Sequence, residues 1–202
     1  MIESVIRWAN QVRYRNPYGK PHAIDVKANG LPRIPKYLGK RANETAAAIA
    51  AHPGNDFDKL KLIYDYLDEY NDFVATFSVC KKGCNHCCKI DVDVTKVEAL
   101  YIERFTGKTM HRKRKRSQGH RTACPLLGAD GTCSVYEYRP FNCRTFHALD
   151  DPDLCAKPGV NHLVYGASSS PQQVDCYAQM NEIRKALNQT GERKDIRDYF
   201  GK

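Results

Sequence analysis

Four cysteines stand within nine residues, Cys80, Cys84, Cys87 and Cys88, in a segment otherwise made of Lys81, Lys82, Gly83, Asn85 and His86. Thiolates at spacings of three and two can reach one soft cation through a tight turn. Gly83 lets the chain fold back and turn amides toward the sulfurs. Cys80, Cys84 and Cys87 can therefore cap one face of a metal or cluster. Cys88 must point away from Cys87, toward a second metal or a second corner. The segment is too polar to be an ordinary core stretch of reduced cysteines.

The partners lie downstream. Cys124 and Cys133 flank a predicted tight hairpin turned at Ala129, Asp130 and Gly131. The chain then returns Cys143 to the same region, and Cys155 follows in a polar loop. Arg139 and Arg144 can offset thiolate charge. Cys176 reads differently: with Met180, Ile183 and Leu187 it forms a helical stripe, which predicts a core residue. Eight candidate ligands remain, Cys80, Cys84, Cys87, Cys88, Cys124, Cys133, Cys143 and Cys155. That number matches two four-cysteine sites without proving two. His86 reads as a neighbour of the site that orients ligands rather than as a ligand, and His120 and His147 flank the region as weaker candidates.

Two separated motifs in this order resemble the YkgJ-like cysteine-cluster family, a zinc- or iron-chelating domain of CxxxCxxCC type. The matching residues are Cys80, Cys84, Cys87 and Cys88, then Cys124, Cys133, Tyr136 or Tyr138, Arg139, Pro140, Cys143, Arg144 and Phe146, over about residues 78–147. The resemblance implies metal chelation by iron–sulfur or zinc and includes proteins labelled Fe–S oxidoreductases. It implies no substrate.

The residues themselves allow several chemistries. Adjacent cysteines and nearby arginines favour an iron–sulfur cluster, 4Fe–4S first, with a redox or catalytic role. Zinc as a structural staple is the alternative. The Cys80–Cys84–Cys87 spacing is also that of radical S-adenosylmethionine enzymes, but His86 replaces the usual aromatic residue and no barrel pattern follows. A thioredoxin-like dithiol at Cys84 and Cys87 lacks its strand–helix setting.

The elements that must position these residues are mostly helical. A helix is expected over 2–13, an irregular Pro/Gly-rich arm over 14–40, and helices over 42–52 and 56–72, with 73–79 extended. Residues 91–94 read as a short strand. Thr95 and Glu98 form a capping box for a helix ending at Gly107. Ser170 and Pro171 open a last helix running to about Asn188. The fold class is thus mostly α with little β: a small helical domain around an irregular cysteine-rich centre with a short hairpin. Residues 1–79 form an N-terminal helical part, 80–155 the metal-binding region and 156–202 a C-terminal helical part, packed as one unit.

Charge is concentrated rather than spread. The formal net charge is +9, and residues 108–121 hold seven basic and no acidic side chains. Such runs are commonly solvated, but this one can meet the phosphates of a nucleic acid or another polyanion through Arg112, Lys113, Arg114, Lys115 and Arg116. No aromatic interrupts it, so base stacking from within the loop is not available. The first ten residues lack a signal-peptide pattern, and the odd number of cysteines, nine, argues against a secreted disulfide scaffold. Both predict a cytoplasmic protein without membrane spans.

Overall fold

The computed structural model describes residues 30–81, 83–111, 116–120, 122–157, 160, 162–167 and 175–201. The helix expected over 2–13, the first part of the arm, Arg112 to Lys115 and the Ser170–Pro171 helix opening lie outside them. The order is α1 (Lys36–Ala51), α2 (Asp56–Val74), a 3-10 turn (His86–Lys89), β1 (Asp93–Thr95), α3 (Lys96–Thr106) and a 3-10 turn (Tyr136–Tyr138). There follow α4 (Phe141–Arg144), β2 (Phe146–Ala148), a 3-10 turn (Pro152–Ala156), β3 (Val164–Gly166), α5 (Asp175–Leu187), β4 (Arg193–Asp195) and α6 (Ile196–Phe200). The class is mostly α with little β, as the sequence predicts.

Helices α1, α2 and α5 enclose the larger core. Leu38, Ala42 and Ile49 of α1 meet Leu60, Ile63, Leu67, Tyr70 and Val74 of α2 and Tyr177 and Met180 of α5. Apolar residues at helical spacing dictate this face. Asn55 caps α2, its side chain accepting from the Phe57 and Asp58 amides. Cys176 is 7% exposed and belongs to this core, where the predicted stripe puts it.

Two expectations need correction. The arm stops at Pro35, because α1 already begins at Lys36 and continues through Gly39. Burial of Leu38, whose carbonyl accepts from the Tyr66 hydroxyl at 3.2 Å, outweighs the low helix propensity of that glycine. Residues 73–79 are not extended throughout: α2 runs to Val74 and a turn follows. Phe73, Val74 and Phe77 continue the helical stripe into the core.

The capping box on α3 is present. The Glu98 amide donates to Thr95 Oγ1 and Glu98 Oε2 accepts from the Thr95 amide, while Gly107 closes the helix with φ of 70°. α3 faces a second, smaller core with Val94, Ala99, Ile102, Met110, Leu126, Val135, Ile196 and Tyr199. Two antiparallel strand pairs complete the fold, β1 with β4 and β2 with β3. β4 and α6 have no counterpart in the sequence reading. No described helix is long and apolar enough to cross a membrane.

Candidate metal centre

The cysteine knuckle leaves the large core at Val79, whose amide donates to the Ala148 carbonyl at 2.9 Å. Gly83, at φ of 89°, makes the turn that brings Cys84 back toward Cys80. The 3-10 turn His86–Lys89 that follows carries Cys87 and Cys88. Asn85 Nδ2 donates to the Gly131 carbonyl, docking the knuckle on the Asp130–Gly131 turn. That turn is tight, with Gly131 at φ of 76° and an isolated bridge between Leu127 and Cys133. Cys143 rides on α4, and Cys155 on the 3-10 turn Pro152–Ala156, which packs against the knuckle's own 3-10 turn.

The thiols influence one another in overlapping groups. Cys80 and Cys155 feel Cys84 and Cys87, Cys155 feels Cys80 as well, and Cys88 and Cys143 both feel Cys124 and Cys133. Cys143 also feels Cys87, so the groups meet at the adjacent pair Cys87 and Cys88. Cys88 raises Cys87, with burial adding to it, and Cys87 lowers Cys88. Burial pushes Cys80, Cys124 and Cys143 up, and neighbouring thiols push them further. Burial and then Cys80, Cys84 and Cys87 take Cys155 up to about 11. Thiols that raise one another hold their protons until a cation replaces them. Among the described residues no three His, Cys, Asp or Glu side chains already close around one point. The thiols are gathered rather than clenched.

The surroundings suit an anionic, metal-bearing group. Arg139 acts favourably on Cys80, Cys87 and Cys143, its guanidinium lies 3.9 Å over the Tyr136 ring, and its buried Nε has no hydrogen-bond partner. The Ala148 amide donates to Cys80 Sγ at 3.2 Å. Eight soft donors, a backbone amide on sulfur and an unpartnered cationic N–H together fit zinc or iron.

The flanking candidates go elsewhere. Arg144 is buried, with its nitrogens donating to Asp68 at 2.6 Å and to the Arg139 and Glu137 carbonyls, and it lies 4.3 Å over Tyr64. His86 Nε2 is 3.6 Å from Asp153, beside the turn that carries Cys155, and its Nδ1 is buried without a partner. His147 Nε2 lies 3.0 Å from the Arg144 carbonyl and 3.2 Å from Asn71, and burial lowers its pKa to about 4. It is neutral and turned to these groups. His120 pairs with Asp198 at 3.1 Å. Arg116 is exposed, while Arg112, Lys113, Arg114 and Lys115 are outside the described residues.

Two groups were not legible in the sequence. Glu98 is fully buried and accepts at Oε1 from the Phe141 amide (2.7 Å) and the Tyr64 hydroxyl, while Arg184 pairs with Oε2 at 2.8 Å. It thereby holds the start of the turn that carries Cys143. Arg197 donates to the carbonyls of Cys88, Ile90 and Thr122. The spacing of Ile196, Tyr199 and Phe200 hints at a buried terminal turn. Nothing in it shows which charged side chains follow the apolar ones inside.

Residues 79–168 match the CxxCxxCC family model, described as a "putative zinc- or iron-chelating domain". The match spans both motifs that carry the resemblance. No curated protein and no solved structure matches the chain.

The division of labour among the cysteines gives an expected result. Cys143→Ala should lose a large share of bound metal, because its buried thiol stands among those of Cys87, Cys124 and Cys133. Cys176→Ala should keep all of it. Metal analysis of purified protein checks both, and a Cys176 variant short of a third or more of its metal would place that residue among the ligands.

Proposed function

We propose that the protein holds two cysteine-ligated centres, one on Cys80, Cys84, Cys87 and Cys155 and one on Cys88, Cys124, Cys133 and Cys143, and that these are iron–sulfur clusters with a redox role. The observation that carries this is the pairing of loops: the turn of Cys155 packs on the turn of Cys87 and Cys88, and the Cys124 amide donates to the Cys88 carbonyl at 2.7 Å. In the first set three thiols come from one tight run and the fourth from a remote turn, a division common among cluster-binding cysteines. Arg139 offsets charge on the shared side of both. The experiment is purification without air, followed by absorption spectroscopy and iron, zinc and acid-labile sulfide analysis. A broad brown absorbance with iron and sulfide in similar amounts supports the reading. A colourless protein carrying zinc replaces it with a pair of zinc staples.

A second reading concerns the basic loop, and the anchoring of its ends favours it. Met110 is buried in the smaller core and its amide donates to Glu103 at 2.8 Å. At the other end the Asp91 carboxylate accepts from the Gly119 and His120 amides, at 2.6 and 3.0 Å. His111 and Arg116 are exposed between these anchors, and Lys108 just before the first. Such a loop presents charge to a polyanion while both feet stay on the protein. Replacing Arg112, Lys113, Arg114, Lys115 and Arg116 with neutral residues should remove most of any nucleic-acid affinity and leave metal content unchanged. The parent's affinity should fall steeply with salt and depend little on base sequence. Mobility-shift titrations at two salt concentrations check this, and equal binding by both proteins would return the loop to a solvated insertion.

A further inference from the structure

The two thiol sets are held in different ways. In the first, Cys80 is exposed, and Cys155 sits on a short 3-10 turn between exposed Asp151, Asp153 and Lys157. The link from that turn to the knuckle's side chains is the His86–Asp153 pair at 3.6 Å, with Asp153 solvent-facing. In the second, Cys124 and Cys133 pack against the smaller core and Cys143 rides on the turn held by buried Glu98. Arg197, 2% exposed, sits behind this set. Its Nη2 donates to the Cys88 carbonyl at 3.1 Å, its Nη1 to Ile90 at 3.0 Å and its Nε to Thr122 at 2.7 Å. Buried Asp195 pairs with the same guanidinium at 3.0 Å and accepts from the Val92 amide at 2.6 Å. The Cys124 amide donates to the Cys88 carbonyl at 2.7 Å, closing the frame. One guanidinium from the C-terminal segment therefore fixes the backbone around Cys88 and just before Cys124.

We propose that the two centres do different work: Cys88, Cys124, Cys133 and Cys143 form a permanent structural centre latched by β4 and α6 through Arg197, and Cys80, Cys84, Cys87 and Cys155 form an exchangeable centre that loads and gives up its metal. This rests on the two-centre reading above. A metal leaves a thiolate site one ligand at a time, and a competing ligand wins where a sulfur can swing into solvent before it rebinds. Cys155 is placed for that, because local opening costs least where backbone is exposed and apolar contacts are few, and Cys80, though exposed, has only the Ala148 amide on its Sγ at 3.2 Å to hold it. Cys88 and Cys124 are not, because their carbonyl and amide groups are bonded to each other and to Arg197. Arg197 is a positioning residue. Lysine cannot replace it, since one ammonium does not span three carbonyls in the geometry of the guanidinium fork.

The test is metal release from the loaded, full-length protein into excess chromogenic chelator, with alkylation by iodoacetamide followed cysteine by cysteine in the same sample. The parent should release in two phases differing at least tenfold in rate, with Cys80, Cys84, Cys87 and Cys155 alkylated in the fast one. Cys155→Ser should lose the fast phase alone. Arg197→Lys should keep its metal content and speed only the slow phase, which general destabilisation would not do selectively. A single phase in the parent, or early alkylation of Cys88, Cys124, Cys133 and Cys143, overturns the division while leaving two centres in place. Metal well short of two per chain in the parent overturns the two-centre reading itself. The alkylation order is read on the parent, so it decides even if a variant does not fold.

Discussion

Glu98→Ala should destabilise the protein by about 3–5 kcal/mol, the range for breaking a buried ion pair from one side. The substitution leaves the Arg184 guanidinium, 1% exposed, without its carboxylate. It also removes the acceptor of the Phe141 amide and of the Thr95 amide and hydroxyl, and a partner of the Tyr64 hydroxyl. Each buried donor left unpaired adds to the cost. Because a domain of this size is stable by only about 5–15 kcal/mol, the variant should sit near its unfolding threshold. Urea denaturation measures this, and a loss below about 1 kcal/mol would mean that water or relaxation replaces the carboxylate. Glu98→Leu combined with Arg184→Leu should recover part of the loss, since the penalty comes mainly from the stranded charge. The single variant should also bind less metal at the set containing Cys143, because the amide that starts its turn is held by Glu98.

Removing the metal should cost still more, but locally. A four-thiolate site contributes on the order of 10 kcal/mol to the order of the segments it joins. Those segments have little else. Between Val79 and Leu163 the described strands have three residues each, the 3-10 turns three to five, and α4 four. α3 is the exception, with its capping box and its share of the smaller core. Chelation should therefore open 80–91 and 122–157 to protease and hydrogen exchange, while α1, α2 and α5 stay protected on their own aromatic core. Hydrogen exchange before and after chelation checks this. Uniform loss of protection would mean that the helical core depends on the centre, and no change would mean that the thiols are not a staple.

The sequence by itself determined what local chemistry decides. The knuckle at Cys80–Cys88 is legible because thiols at those spacings among lysines have few other uses. The box at Thr95 and Glu98, the Gly107 stop and the Cys176 stripe are legible because capping and helical period act within a few residues. The span of α1 was partly hidden, since a glycine at 39 reads as a break until Leu38 is buried against α2. Tertiary structure alone packs the turn of Cys155 on the knuckle's turn and joins the Cys124 amide to the Cys88 carbonyl. Nothing in the order of the cysteines shows either contact. It also decided that Arg144 faces Asp68, and that Glu98 serves the Cys143 turn as well as its own helix. The last residues show the limit most clearly. Arg193 to Phe200 looks like a charged tail, yet its strand pairs with β1 and its Arg197 reaches the carbonyl of Cys88, more than a hundred positions away. A buried charge is stable only where the fold supplies its partners, and besides Asp195 these partners are backbone carbonyls, which leave no mark on side-chain sequence.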